Sequence, residues 1–276
     1  MKYQFLGTAA AEGLPGIFCD CDICEQARKL GGKNIRTRSQ SLVNDDLLID
    51  LSADTYFHVI RNAVPIHKIF HCLITHKHSD HFYPQELYNR VEGFAHLKDN
   101  RPFNIYGPKS VIADLKADAR IMQIINMGDM ILHEIKHFEN FEAAGYKITP
   151  LSADHPSTPD PVIYFIERDG KTILHANDTG YFLPSVWEWL KKNVKHIDFA
   201  EFDCTFGLKE CRESHMGFNT VLEVRNRLKD MGIVDDKSIC VANHFSHNVG
   251  PLYEDMKAVS EKENMLTSYD GLVIEF

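Results

Sequence analysis

The stretch Ile69-Phe70-His71-Cys72-Leu73-Ile74-Thr75-His76-Lys77-His78-Ser79-Asp80-His81 decides the fold. Its first six residues are mostly apolar and predict a short buried strand, and three histidines and an aspartate then follow within six residues. In an extended segment, positions 76, 78 and 80 point the same way and His81 turns to the other side. Such nitrogen and oxygen ligands at a strand end suit a divalent cation. A solvated loop with incidental histidines is the weaker alternative, because the strand gives the loop a rigid base.

The segment Thr75-His76-Lys77-His78-Ser79-Asp80-His81 resembles the T-H-x-H-x-D-H motif of the metallo-β-lactamase superfamily at every position. This resemblance implies an α/β protein with the metallo-β-lactamase fold, a four-layer αββα sandwich of two mixed β-sheets flanked by helices. It also implies a hydrolase with two divalent metal ions in the active site. The ligand types suit Zn, Mn or Fe and do not decide among them.

The remaining superfamily ligands should follow in the order histidine, aspartate, histidine. The chain offers His155, Asp178 in an Asp-Thr-Gly triplet, and His244, each after a predicted strand. By resemblance, the first metal is bound by His76, His78 and His155. The second is bound by Asp80, His81 and His244, while Asp178 bridges the two ions and Asp80 also counts as a catalytic residue. Two ions roughly 3.5–4 Å apart would activate a shared water for hydrolysis.

Three cysteines form a second cluster in Cys19-Asp20-Cys21-Asp22-Ile23-Cys24. Clustered thiols in a chain without an export signal indicate zinc ligands, although a redox or incidental cluster is an alternative. Together with Gly7-Thr8 and Gly13-Leu14-Pro15, the cluster resembles the phosphoribosyl 1,2-cyclic phosphate phosphodiesterases of the carbon–phosphorus lyase pathway. It also resembles the B protein of pyrroloquinoline quinone synthesis. The first resemblance implies that His247, in His244-Phe245-Ser246-His247, completes a closed structural zinc site.

Asp50 and His215 receive roles from the same resemblances. Asp50 ends the predicted strand 47–51 and matches an early aspartate that accepts a hydrogen bond from a metal ligand. A turn-forming aspartate is the alternative. His215 precedes a predicted helix. In the subfamily, a histidine at this place serves as general acid/base and contacts the phosphate. The amides at the start of the helix should then lie beside an anionic ligand. A surface histidine is the alternative.

Arg36 and Arg38 either hold an anionic substrate or are exposed loop charges, and neither is assigned to the site.

The function that these features favour is hydrolysis of a small cyclic phosphate or phosphodiester, with His215 protonating the leaving oxygen. Another hydrolase on the same fold, such as a thioesterase, a lactonase or a tRNA 3′-processing endonuclease, is the alternative. A non-catalytic carrier resembling the quinone-pathway B protein is a further alternative, and the intact seven-ligand set argues against it. Phe18 replaces a glycine common among relatives, and residues 90–140 match no motif, which leaves the exact substrate open.

Composition sets the remaining expectations. The 276 residues carry a formal net charge of −9 without a basic run, which argues against a nucleic-acid partner. No signal peptide or apolar membrane span is visible, so a cytoplasmic protein without a membrane partner is expected. The expected partner is a small phosphate-containing substrate, and a homodimer is left open. Disulfides are not expected from the odd count of 7 cysteines.

Hydrophobic patterning predicts a single domain over residues 1–276 in which strands come in blocks with helices between them. The predicted strands are 3–6, 47–51, 69–75, 103–106, 131–135, 162–167, 171–175, 198–202, 239–242 and 272–275. The predicted helices are 84–92, 109–125, 184–193, 219–231 and 252–263, two of which begin with a proline. This order favours two sheets packed face to face with helices outside.

Overall fold

The computed structural model describes residues 1–99 and 101–276, and their strands form two seven-stranded sheets. The first contains β1 (Lys2–Gly7), β2 (Gln40–Val43), β3 (Leu47–Ile49), β4 (His71–Leu73), β5 (Phe103–Gly107), β6 (Met130–Glu134) and β14 (Val273–Glu275). The second contains β7 (Phe141–Ala143), β8 (Tyr146–Ser152), β9 (Val162–Arg168), β10 (Lys171–Ala176), β11 (Phe199–Asp203), β12 (Ile239–Asn243) and β13 (Leu266–Thr267).

Both sheets are mixed. The first has the order β14-β1-β2-β3-β4-β5-β6, antiparallel as far as β3 and parallel from β3 to β6. The second has the order β13-β12-β11-β10-β9-β8-β7, parallel as far as β10 and antiparallel beyond it. The predicted pair of mixed sheets is therefore confirmed.

Helices cover both outer faces of the sandwich. The α-helices are α1 (Asp22–Leu30), α2 (Thr55–Asn62), α3 (Lys109–Ala117), α4 (Ala119–Met127), α5 (Pro184–Asn193), α6 (Phe218–Asp230) and α7 (Tyr253–Ser260). Apolar residues of α2, α3 and α4 pack on the first sheet, and those of α5, α6 and α7 pack on the second. The resulting four layers confirm the predicted αββα sandwich. None of the helices described is both long and apolar enough to cross a membrane.

Alternation along the strands builds three apolar layers. In β3, Leu47 and Ile49 face the core between the sheets, whereas Leu48 faces the helices, as the two-residue period of a strand requires.

Two tight hairpins fix the strand register. Asp169-Gly170 joins β9 to β10 and Ala144-Gly145 joins β7 to β8, with positive φ values of 52°, 75°, 51° and 77°. Positive φ at both central residues is the geometry of a type I′ turn, which matches the twist of the strands.

Two predicted helices are wrong in detail. The predicted helix 109–125 is two helices, because the Asp118 side chain accepts hydrogen bonds from the amides of Arg120 and Ile121 and so begins α4 anew. The predicted helix 84–92 is a 3₁₀ helix over Pro84–Asn89. Sequence patterning also missed α1, α2, β2, β7, β8 and β13, of which β2, β7 and β13 are short.

The candidate site residues collect at one end of the sandwich because parallel strands end there. Asp50 follows β3, His76 lies just beyond β4, and these two strands pair in parallel. On the other sheet, Asp178 lies just beyond β10, Asp203 ends β11, and His244 follows β12, again with parallel pairing. The site therefore lies at the carboxyl ends of strands from both sheets.

Candidate metal centre and active site

Two groups of side chains have the geometry of metal sites. His76, His78, His155 and Asp178 form the first group, whose ligand atoms all lie within 4.8 Å of one another. In it, Nδ1 of His78 lies 3.1 Å from Nε2 of His76 and 3.1 Å from Nε2 of His155. The structure thus brings together the residues that the resemblance assigns to the first metal, with Asp178 beside them.

Asp80, His81, Asp178 and His244 form the second group, within the same 4.8 Å limit. Nε2 of His81 lies 3.2 Å from Nε2 of His244 and 2.8 Å from Oδ2 of Asp178. The Asp178 carboxylate belongs to both groups, as a bridging ligand would. The two groups contain all seven residues that the resemblance assigns to the metal pair.

The donor set fits divalent cations. Six of the seven side chains are buried, and Oδ1 of Asp178 has no hydrogen-bond partner among the described residues. Ring nitrogens of the histidines face each other at 3.1–3.2 Å. Their lone pairs would repel unless a proton or cation lay between them. A buried carboxylate oxygen without a hydrogen bond is also costly, so a cation resolves both problems.

The charged groups of this centre interact strongly with one another. Burial lowers the pKa of His76 to about 4, with help from the neighbouring charge of His81. Burial also opposes the charged form of His81, but Asp80, Asp50 and Asp178 outweigh it and raise the pKa of His81 well above its ordinary value. The surrounding histidines, His244 foremost, hold the pKa of Asp178 well below its ordinary value despite burial. The carboxylates are therefore ionised, as metal ligands must be.

Asp50 orients the second ligand group from behind. Its Oδ2 accepts a hydrogen bond from Nδ1 of His81 at 2.6 Å, and its Oδ1 accepts one from the amide of Thr75 at 2.8 Å. The first contact fixes the ring of His81 so that Nε2 faces the other ligands. The second ties the loop that carries the histidines to the end of β3.

His215 forms a pair with Asp203, a residue that sequence analysis missed. Nδ1 of His215 lies 3.0 Å from Oδ2 of Asp203, whose Oδ1 accepts the amide of Met216 at 2.8 Å. Burial lowers the pKa of His215, but Asp203 outweighs that effect and the pKa rises to about 9. Asp178, Asp203, His215 and His244 also lie within 4.8 Å of one another. The signal in the sequence was a carboxylate at the end of a predicted strand, as for Asp178.

The three amides that follow His215 are bonded within the protein. Met216 donates to Asp203, Gly217 to the carbonyl of Cys211, and Phe218 to the carbonyl of Gly207. These three groups are therefore already satisfied by the protein. The expectation that amides at the start of α6 lie beside an anionic ligand stays a prediction.

The cysteine cluster is assembled with His247. Sγ of Cys19 and Sγ of Cys21 each lie 3.7 Å from Nδ1 of His247, and the buried Cys24 lies within the same 4.8 Å group. Tetrahedral zinc with bonds of about 2.0–2.3 Å separates its ligands by roughly 3.5–3.8 Å, which fits these distances. All seven cysteines of the chain are free thiols.

The two arginines have other partners. Arg36 is buried rather than exposed, and its guanidinium donates to Oγ1 of Thr8 and to the carbonyl of Ser268, both at 2.9 Å. Arg38 lies 3.5 Å from the carboxylate of Asp54. The exposed-charge alternative is therefore wrong for Arg36, and Arg36 does not line the cavity described next.

A cavity of about 310 Å³ opens onto the metal-ligand groups. Its walls include His78, Asp80, His155, Asp178 and His244, together with His215 from the other side. A cavity of this size suits a small molecule. His215 and the metal ligands therefore share one small cavity.

Comparison with known proteins identifies the family. Residues 47–239 match the family model described as the beta-lactamase superfamily domain, and the chain belongs to this family. The predicted superfamily membership is therefore confirmed. Coenzyme PQQ synthesis protein B of Methylobacterium radiotolerans is 28% identical over 158 residues, which cover 51% of this chain and 48% of that protein. The chain thus spans about half the length of this relative.

Solved structures share the whole fold at low identity. Zn(2+)-bound PqqB from Methylobacterium extorquens has a TM-score of 0.75 and 20% identity, with 100% of both chains covered. A diphosphatase from the PhnP family has a TM-score of 0.74 and 19% identity, covering 100% of this chain and 96% of that one. The superfamily is generally hydrolytic and generally binds divalent metals.

Proposed function

We propose that the chain is a metal-dependent phosphodiesterase that hydrolyses a small phosphodiester or cyclic phosphate. The observation that carries the proposal is His215, which is held by the buried Asp203 and lines the same small cavity as the metal-ligand groups. An alkoxide leaves a phosphodiester only if it is protonated, and a histidine beside the metal ligands can supply that proton. A thioesterase or a lactonase, by contrast, needs no side chain that contacts a phosphate group.

Two further features support the choice of phosphorus chemistry. The cysteine cluster with His247 resembles the cyclic phosphate phosphodiesterases more specifically than the metal motif does. The likeness to a PhnP-family diphosphatase extends over the whole chain, although at 19% identity it concerns the fold alone.

The protein's own groups divide the reaction between them. The seven ligands would hold a pair of divalent ions, with Asp178 shared, and such a pair supplies Lewis-acid stabilisation of charge that develops on phosphoryl oxygens. Asp50 keeps the ring of His81 in place. Asp203 holds Nδ1 of His215. Nε2 has no hydrogen-bond partner among the residues described, and it is the atom that donates a proton to the leaving oxygen.

The test is His215→Ala on two diesters that differ in leaving group. With a poor alkoxide leaving group, kcat should fall by roughly 10²–10⁴-fold, the usual contribution of a general acid. With a good aryloxide the loss should be much smaller, because that group leaves without a proton. The control is His67→Ala, which removes an exposed histidine. Equal losses on both diesters would eliminate His215 as the general acid.

A carrier function is the second candidate, because one of the relatives that the chain matches is coenzyme PQQ synthesis protein B. A panel of a bis-aryl phosphate, a thioester and a lactone separates the possibilities when the protein is loaded with metal. Hydrolysis of the phosphate supports the proposal, and turnover of only the thioester or lactone contradicts it. A metal-loaded protein that is inert to all three favours the carrier.

A further inference from the structure

One carboxylate in the active-site cavity belongs to neither the metal groups nor the His215 pair. Glu12 lines the cavity together with Asp80 and Asp178, and no lysine or arginine lines it in the described part of the chain. The described cavity wall therefore carries three carboxylates and four histidines but no lysine or arginine. Such a charge pattern bears directly on which substrates can enter.

Glu12 is held firmly in place. Its Oε1 accepts a hydrogen bond from Oγ of Ser246 and another, at 2.8 Å, from Nδ2 of Asn248. The backbone on both sides is also fixed, because the amide of Ala10 donates to the carbonyl of Phe245 and the amide of Leu14 donates to the carbonyl of Arg36. The carboxylate therefore cannot swing away from an incoming ligand without losing these bonds.

The second oxygen of Glu12 is available. No hydrogen bond to Oε2 occurs among the described residues, and the side chain is 28% exposed. The carboxylate is not a partner of the zinc-site histidine either, because Oε1 lies 4.0 Å from Nε2 of His247, beyond hydrogen-bond distance. An anchored carboxylate with one free oxygen is suited to accept a hydrogen bond from a ligand.

We propose that Glu12 determines substrate specificity. Its free oxygen accepts a hydrogen bond from a hydroxyl group on the part of the substrate next to the phosphodiester. The same negative charge disfavours a substrate that carries a second phosphate there, because like charges repel and no lysine or arginine on the cavity wall compensates. This inference rests on the proposed phosphodiesterase function and narrows it to small, singly charged cyclic phosphates of polyhydroxy compounds.

Three compounds that differ at one position test the proposal. Glycerol 1,2-cyclic phosphate carries the hydroxyl, propane-1,2-diol cyclic phosphate lacks it, and the 3-phosphorylated glycerol compound replaces it with an anion. The metal-loaded full chain should prefer them in that order. Glu12→Gln keeps an oxygen for Ser246 and Asn248 but removes the charge. It should lower the preference for the hydroxyl compound over the phosphorylated one by roughly tenfold or more, mainly through KM.

The control variant is Asp20→Asn, which removes an exposed carboxylate from the same N-terminal segment and should change no ratio. Unchanged ratios in Glu12→Gln would overturn the proposal. Loss of one zinc equivalent with an equal loss on all three compounds would also overturn it, because Glu12 would then be a scaffold residue only. Calorimetric affinities of the same three compounds decide the role of Glu12 even if none is hydrolysed, in which case the phosphodiesterase function fails on its own.

Discussion

At the scale of single residues, the candidate site stores backbone strain. Asp50, Asp178 and His244 have positive φ values of 65°, 47° and 65°, which side chains other than glycine rarely adopt. Each such residue costs about 1–3 kcal/mol and persists only where the surroundings hold it. All three stand near the carboxyl ends of strands in the parallel parts of the two sheets. Positive φ also occurs at other turns, such as the hairpin residues Ala144 and Asp169, so at these strand ends it accompanies the site and does not by itself mark it.

Arg36 illustrates how a residue can be misjudged from sequence. Its partners, Thr8 and Ser268, are far from it in sequence, and its guanidinium also lies 4.5 Å from the ring of Phe245. We expect Arg36→Leu to lower the free energy of unfolding by about 2–3 kcal/mol, because two buried hydrogen bonds to a charged group are lost. Chemical denaturation measures this change, and KM should stay the same.

The matched control is Arg38→Gln. Arg38 pairs with Asp54 at the partly exposed surface, and such pairs contribute about 0–1 kcal/mol. If Arg36→Leu instead raised KM without changing stability, Arg36 would contact the substrate directly.

At the scale of elements, α1 packs on the rest of the molecule through few residues. Its buried residues are Cys24 and Ala27, and they join only a small cluster with Leu14 and Leu252. This is a small apolar contact for a nine-residue helix. The cysteine cluster lies at the start of this helix, with Cys21 as its N-cap residue. A zinc ion would therefore supply the attachment that packing does not.

Cys21→Ser should release one zinc equivalent and lower the melting temperature. The reason is that three remaining ligands no longer close the site, and α1 then loses its link to the loop that carries His244 and His247. Metal analysis by mass spectrometry and thermal denaturation measure the two effects. Cys211→Ser is the matched control, since that half-buried thiol lies outside the cluster. A metal content and melting temperature equal to those of the wild type would exclude the zinc site.

Element boundaries show where sequence patterning stops. The long strands and helices were found because their apolar periodicity is strong, and the helix 109–125 was misjudged because one aspartate, Asp118, ends one helix and caps the next. Short strands such as β2 and β7 carry too few residues for a period to show. Strand β8 was missed because Pro150 lies within it, and proline normally argues against a strand.

At the scale of the whole molecule, one dense motif predicted the fold. No motif predicted the buried polar network beneath the site. Thr75–His81 is local, so its residue types and spacing carry the information. By contrast, Tyr3, His175 and Glu201 form a buried polar cluster between the sheets, with Tyr3 Oη donating to Glu201 at 2.6 Å. These residues come from three strands of two sheets, and no pattern along the chain relates them. Asp203 was missed for the same reason, because its partner His215 is defined only by the fold.

The ligand set also links the two sheets, which predicts how metal removal affects stability. His76, His78, Asp80 and His81 follow a strand of the first sheet, whereas Asp178 and His244 follow strands of the second. Bound metal would therefore hold the sheets together at this end, and chelation should lower the melting temperature. At metal concentrations of 100–1,000 times Kd the stabilisation is about 2.7–4.1 kcal/mol, or on the order of 10 °C for a chain of this size.

Asp178→Asn separates this effect from that of the cysteine site. The variant loses the charge shared by both metal-ligand groups but keeps Cys19, Cys21, Cys24 and His247, so a chelator should shift its melting temperature much less than that of the wild type. Asp236→Asn, at a side chain that is 98% exposed, is the control and should respond to the chelator like the wild type. If wild type and Asp178→Asn showed the same shift, the stabilising metal would lie elsewhere. Six of the seven ligands are buried histidines and aspartates. Without a cation, the facing histidine nitrogens repel one another and Oδ1 of Asp178 lacks a hydrogen bond. We therefore expect the larger shift of the melting temperature in the wild type.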